Sequence, residues 1–396
     1  MKIIYHQRTQ ARLAEGVHVR EIVKALKEKG NEVIVVSPPG VDVFREASGE
    51  DTAAKQGFGL RVFWHFISRY APEIVFEILE LGYNFMAYAK LRSLFSKTKI
   101  DAFYERYAFF GWAGTYIAQK NKIPSIVEVN EISGFKRTRG QVLQQIAKAI
   151  EKKVFTRADA IVVVSHFLKE EISKMGIAPE KIHIVPNAVN AAEFSLDTAN
   201  RDIVEKYGLE NKVVLGFVGS FVKWHNFDFF LKTFEKVLKK SGKELRLMMV
   251  GDGPAKAEVE AQAKAYGVLD QVIFTGAVKH TAIPAYIKAM DICIIPHSNE
   301  YRSPIKLFEY MAMAKPVVSP RVKPIEEVVT DKANGVLFEP ENLSALADSI
   351  IYLLENKAVR EQIGARARET ILKQYLWSHN AAKVIDIYET INKKHA

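Results

Sequence analysis

One cysteine, Cys293, is all that 396 residues contain. That excludes an intrachain disulfide and a cysteine-built zinc site, and it favours a reducing compartment. No two aspartates stand two apart, so the Asp-x-Asp pair that chelates a divalent cation beside a diphosphate is missing. Charge on a leaving phosphate would then have to be met by backbone amides and cationic side chains. His/Cys zinc spacing, the Gly-x-Ser-x-Gly elbow and the Walker phosphate loop are missing as well, which argues against zinc enzymes, α/β-hydrolases and P-loop NTPases. No uncharged apolar run approaches the ~20 residues of a membrane span. The start, MKIIYHQRT, goes straight into a strand without a signal-peptide core. A soluble, cytoplasmic protein is expected.

What is present is an ordinary globular composition, 48% apolar and 26% charged. The length exceeds what one core supports, so two domains are expected. Apolar runs of four to eight residues alternate with helix-period segments. In the first half they read KIIYH, EVIVVSP, AFYERY, SIVEVN, AIVVVS and IHIVPN. In the second they read VVLGFVGS, LRLMMVG, QVIFTG, DICIIP, PVVSP and GVLFEP. Two series of six predict an α/β fold of two facing Rossmann-like, doubly wound parallel sheets with a central cleft. The polar residues 191–210 read as the linker.

The net charge of +10 is uneven: 28 Lys+Arg face 20 Asp+Glu over residues 1–187, and 28 face 26 over the remainder. Residues 53–99 concentrate aromatic and basic side chains: Phe58, Phe63, Trp64, Phe66, Tyr70, Phe76, Tyr83, Phe85, Tyr88, Arg61, Arg69, Lys90 and Arg92. They read either as crossover helices burying their rings or as a face for an anionic membrane surface. Scattered basic residues without a recognition motif argue against nucleic acid as a partner.

The most informative stretch is SPIKLFEYMA, residues 303–312, directly after the strand DICIIP. Ser303 reads as N-cap and Pro304 as the first helical residue. The turn Pro304, Ile305, Lys306 and Leu307, with the positive dipole end and the free amides of its non-proline residues, suits a phosphate. Glu309, one turn beyond Ile305, is placed to accept from ribose hydroxyls. Other loops after strands offer Gly16 at a helix start, Asn130 and Glu131 before the basic Lys136, Arg137 and Arg139, and Lys223 and His225 in FVKWHN. Gly251-Asp252-Gly253 follows a strand but continues into Pro254-Ala-Lys, unlike a dinucleotide or phosphate loop.

Over nearly its whole length the chain resembles the family-4 retaining glycosyltransferases of the GT-B fold. The matching segments are EGVHVREIVKALKEKGNEVIVVSP, IHIVPNAVNAAEF, FVGSF, LRLMMVGDGP, VIFTGAV and SPIKLFEYMAMAKPVV. The resemblance implies transfer of a sugar from a nucleotide-sugar donor, a UDP-sugar in preference to a GDP-sugar, with anomeric configuration retained and neither metal nor other cofactor. It implies an acceptor domain over residues 1–190, rejoined by a last helix over 377–396, and a donor domain over 191–376. It assigns Glu309 to the ribose, the 304–307 turn and Gly16 to the phosphates, and Val278 to the base.

Asn130 stands where the family commonly has a sugar-touching His, and Tyr301 where many members have a first Glu. Ser220 and His225 replace the usual diphosphate-binding Arg and Lys, so Lys223, His225 or Lys306 is expected to supply that charge. Arg106 and Glu131 are read as facing the acceptor, a saccharide or a lipid-linked saccharide of cell-surface polysaccharide synthesis, at the inner membrane face. Two competing readings are a degenerate nucleotide-sugar-binding scaffold, motivated by the departures at Tyr301, Ser220 and His225, and a nucleotide-sugar 2-epimerase.

Overall fold

The computed structural model describes residues 1–10, 14–44, 72–135 and 140–395. All twelve apolar runs form strands, and every pairing between them is parallel. One sheet contains β1 (Lys2–His6), β2 (Glu32–Val36), β3 (Ala102–Arg106), β4 (Ser125–Val129), β5 (Ala160–Val163) and β6 (Ile182–Ile184), in the order β2-β1-β3-β4-β5-β6. The other contains β7 (Val213–Val218), β8 (Leu245–Val250), β9 (Val272–Phe274), β10 (Ile292–Ile294), β11 (Val317–Pro320) and β12 (Val336–Phe338), in the order β12-β11-β10-β7-β8-β9. Helices cover both faces, which is why the strands are buried runs rather than alternating ones. The order reverses between β7 and β10 in the second sheet, so the loops leaving these two strands part there and open a ligand position at their carboxyl ends.

The chain folds as two compact units, Met1–Pro186 with Ser378–Ala396, and Asn187–Trp377. In the first unit the terminal helix Trp377–His395 is tied to the sheet by Tyr388, whose hydroxyl donates to the Phe103 carbonyl at 2.7 Å. Asn380 Nδ2 donates to the Pro186 carbonyl at 2.8 Å. Residues 191–210 are not free chain: Phe194, Ile203 and Leu209 are buried in the core of the second unit. Three apolar anchors outweigh the polar composition that suggested a linker.

Of the aromatic-basic stretch, Phe58, Phe63, Trp64, Phe66, Tyr70, Arg61 and Arg69 lie outside the described residues, as do Lys136, Arg137 and Arg139. The described part is the helix Glu73–Lys97, which reaches inward with two polar side chains. Glu77 accepts the N–H groups of Val142 and Leu143, at 2.8 and 2.7 Å, ahead of the helix Gln144–Arg157. Asn84 accepts from Trp112 and Ala113 at 2.8 and 3.1 Å and donates to the Phe110 carbonyl at 2.8 Å, capping the helix Ala113–Lys120. Tyr88 and Leu91 pack into the core, while Ile78, Phe85 and Met86 are exposed. Among the described helices none is long and apolar enough to cross a membrane.

Candidate functional site

The loop after β10 leads into the helix Ile305–Ala312, whose Leu307, Phe308, Tyr310, Met311 and Ala312 are fully buried. Tyr310 fixes it to the end of β7, its hydroxyl accepting the Val218 N–H at 2.6 Å. At the other end Arg368 donates to the Ala312 carbonyl, a cation at the negative pole of the helix. Ser303 is not the N-cap that the sequence suggested. Its hydroxyl accepts the Asn187 N–H at 3.2 Å, and its carbonyl accepts from Asn187 Nδ2 at 2.5 Å. The cap position falls to Pro304, which has no capping side chain; its carbonyl accepts the Leu307 N–H at 3.0 Å, and the N–H groups of Ile305 and Lys306 are left uncapped. An uncapped helix start carries a partial positive charge and free donors.

One turn in, Glu309 is buried, and His280 Nε2 lies 3.2 Å from its Oε1. His280 opens the short 3-10 turn His280–Ala282 after β9 and meets Phe194 edge-on at 5.9 Å. The sequence reading missed it: a His two residues past Val278 gives no signal that it will meet a carboxylate 29 positions on. Val278 itself is half-buried against the same core.

The three candidate cations separate clearly. Lys223 is exposed in the turn Lys223–His225. His225 is buried 5.0 Å from Phe217 and 5.6 Å from Phe227, and its Nδ1 has no hydrogen-bond partner among the described residues. Burial first, then the charges of Lys306, His297 and Arg302, push its pKa far below the ordinary histidine value, so it is neutral and supplies no charge. Lys306 has a half-buried stem but a buried Nζ, without a hydrogen-bond partner among the described residues and 4.0 Å above the Phe217 ring. Burial pulls its pKa from 10.5 down to about 7, with Glu309 opposing.

Gly219 lies beneath that ammonium: a Cβ there would sit 2.5 Å from Lys306 Nζ, and the φ of +153° suits glycine alone. Ser220 follows it, half-buried. Arg302 lies over the Trp224 and Tyr301 rings, at 5.2 and 5.5 Å. Gly251 and Gly253 are packing glycines, since a Cβ on either would strike the backbone of Gly219 or Phe221 at 2.1 or 2.6 Å.

In the first unit Gly16 is buried in the first turn of the helix Ala14–Glu28. Arg106 lies inside rather than at an open face: it pairs with Glu128, with side-chain exposures of 11% and 2%. Glu128 also accepts from Tyr104 at 3.0 Å and from Asn130 Nδ2 at 2.6 Å. His18 Nδ1 lies 2.6 Å from Arg106 Nη1, and burial pushes its pKa down to about 4, so it accepts there as a neutral ring. Glu131, next to Asn130 in the chain, is half-buried. Glu128 escaped the sequence reading because a mid-strand Glu in SIVEVN resembles an exposed residue; here it is the hub that orients Asn130.

Two family models match the chain: Glycosyltransferase Family 4 over residues 16–193, and Glycosyl transferases group 1 over residues 200–370. An uncharacterised glycosyltransferase of Methanocaldococcus jannaschii is 25% identical over 94% of both chains. The alpha-D-kanosaminyltransferase of Streptomyces kanamyceticus is 24% identical over 63% of this chain, and the match spans 65% of that protein's length. Anabaena HepE, solved with UDP and with UDP-glucose, superposes with TM-scores of 0.69 and 0.64 at 15% identity, over 100% of this chain and 99% of its own. With its two parallel six-stranded sheets and a family match over most of each unit, the chain is a family-4 glycosyltransferase of the GT-B fold.

Proposed function

We propose that the enzyme moves a sugar from a nucleotide-sugar donor, held by the second unit, to a saccharide or lipid-linked acceptor taken up by the first. The observation that carries this reading is the uncapped start of the helix Ile305–Ala312, followed one turn on by the buried Glu309 that His280 steadies. Free N–H groups at Ile305 and Lys306, in the turn 304–307, suit a pyrophosphate, and a fixed carboxylate suits two vicinal ribose hydroxyls. Val278 is assigned to the base. The complexes of Anabaena HepE with UDP and UDP-glucose support a UDP-sugar over a GDP-sugar.

The transfer retains anomeric configuration and uses no metal. The acceptor hydroxyl attacks the anomeric carbon from the face that the diphosphate leaves. The bond from carbon to phosphate oxygen breaks, the new glycosidic bond forms, and the hydroxyl proton passes to the departing diphosphate. The protein then has mainly to position substrates and stabilise leaving charge. Asn130, oriented by Glu128, is assigned to the donor sugar, Gly16 to the phosphates and Glu131 to the acceptor. Arg106 contributes through its pair with Glu128. The basic first half and the exposed Ile78, Phe85 and Met86 support an acceptor met at an anionic membrane surface, as in cell-surface polysaccharide synthesis.

The test is product analysis with UDP-, GDP- and ADP-glucose, with and without saccharide acceptors, in the presence of EDTA. Acceptor-dependent transfer that survives EDTA and keeps the donor's anomeric configuration is expected. Sugar release that ignores the acceptor, or an epimerised nucleotide sugar, would contradict the reading.

A further inference from the structure

We propose that Lys306 is the cation that holds the donor's diphosphate in this chain, in place of the charge that Ser220 and His225 do not supply. The assignment rests on the donor reading above. Its ground is an ammonium placed where folding alone gives no reason to keep one. Lys306 Nζ is buried, has no hydrogen-bond partner among the described residues, and sits over the Phe217 ring and Gly219. A buried charge without a counter-ion destabilises a fold, and an apolar side chain of similar size would be more stable there.

Among the described residues, other buried polar atoms of this unit also lack hydrogen-bond partners, among them Nδ1 of His225, a residue 3% exposed, and Oδ1 of Asn187, which holds Ser303 ahead of the helix. A diphosphate at the helix start would give the ammonium its counter-charge. The groups that act on Lys306 and its neighbour His225 are Glu309 on its own helix and His297 and Arg302 from the loop after β10. Glu309 alone is anionic, and in this reading it is engaged with ribose and His280.

The lowered proton affinity of Lys306 gives the assignment a signature. Near pH 7 about half of the free protein carries the charge. A bound diphosphate favours the charged form, so donor binding above that pH draws in a proton. Below about pH 7 the lysine is already charged and affinity is flat. Above it, affinity falls by up to about tenfold per pH unit. The ordinary Arg or Lys of an exposed phosphate loop, charged throughout this range, would show no such slope.

Calorimetric titration of the full chain with UDP-, GDP- and ADP-glucose at pH 7.0 and 8.5 tests this, since these diphosphate diesters do not themselves titrate near neutrality. For the sugar nucleotide that binds, wild type is expected to weaken about tenfold between the two pH values. K306M is expected to bind at least about tenfold more weakly at pH 7.0 and without the slope, while melting no lower than wild type. K306R keeps a permanent charge and is expected to lose the slope alone. Binding by K306M within a factor of two of wild type, or a slope that persists in K306M, overturns the assignment. Should K306M fail to fold, an unchanged slope in K306R overturns it equally. If wild type binds none of the three, the donor reading falls first and this assignment with it.

Discussion

At the residue scale the second unit keeps its working side chains in unequal states of readiness. Glu309 is steadied by His280, whereas Lys306 Nζ has no hydrogen-bond partner among the described residues. Glu309→Ala is expected to lower kcat/KM for transfer by about a hundredfold, since it removes charge-assisted hydrogen bonds to two ribose hydroxyls. His280→Ala, which only loosens the carboxylate, is expected to cost several-fold less; steady-state kinetics on the two variants would check the ranking. Lys306 also shapes stability. Its folded-state pKa lies below the unfolded value, so the unfolded chain binds more protons between about pH 7 and 10.5. Wild-type stability should therefore rise with pH across that window relative to K306M, in paired denaturant titrations.

Cys293 is fully buried in β10, and burial raises its pKa. A thiol reagent is expected to leave the native enzyme unlabelled and to label it on unfolding; rapid native labelling would contradict the packing around β10. SPIKLFEYMA showed the helix and the position of Glu309 within it in advance, one residue early at its start, because local rules govern a strand, a loop and a helix opening. Ser303 was misread as a cap because its hydroxyl is claimed by Asn187, 116 residues away, and no local pattern carries such a contact.

Among the elements, the strands were the most legible, since parallel strands covered on both faces must be written as short apolar runs. The helix Glu73–Lys97 was legible only as a helix. Its rings and basic residues drew attention to an outer face, while two inward polar side chains cap the helices Gln144–Arg157 and Ala113–Lys120. Buried Glu77 and Asn84 are invisible to hydrophobic patterning, which treats polar residues as exposed. Asn84→Ala would orphan the Trp112 and Ala113 N–H groups and the Phe110 carbonyl. A loss of about 2–4 kcal/mol is expected in chemical denaturation, and a change within about 0.5 kcal/mol would refute the capping role.

Over the whole molecule, two six-stranded parallel sheets of different strand order differ also in charge, the first half of the chain holding most of the excess of Lys and Arg. Binding to vesicles that contain anionic lipid should weaken steeply as salt rises, and neutral vesicles should bind little; binding indifferent to salt would remove the electrostatic argument. The second unit carries the central claim, that a sugar nucleotide sits at the start of the helix Ile305–Ala312. A crystal structure of the full chain with whichever of UDP-, GDP- or ADP-glucose most raises its melting temperature tests it most directly. Pyrophosphate oxygens are expected against the N–H groups of Ile305 and Lys306 and against Lys306 Nζ, with both ribose hydroxyls on Glu309. A nucleotide bound elsewhere, with Glu309 still turned to His280 alone, would contradict it.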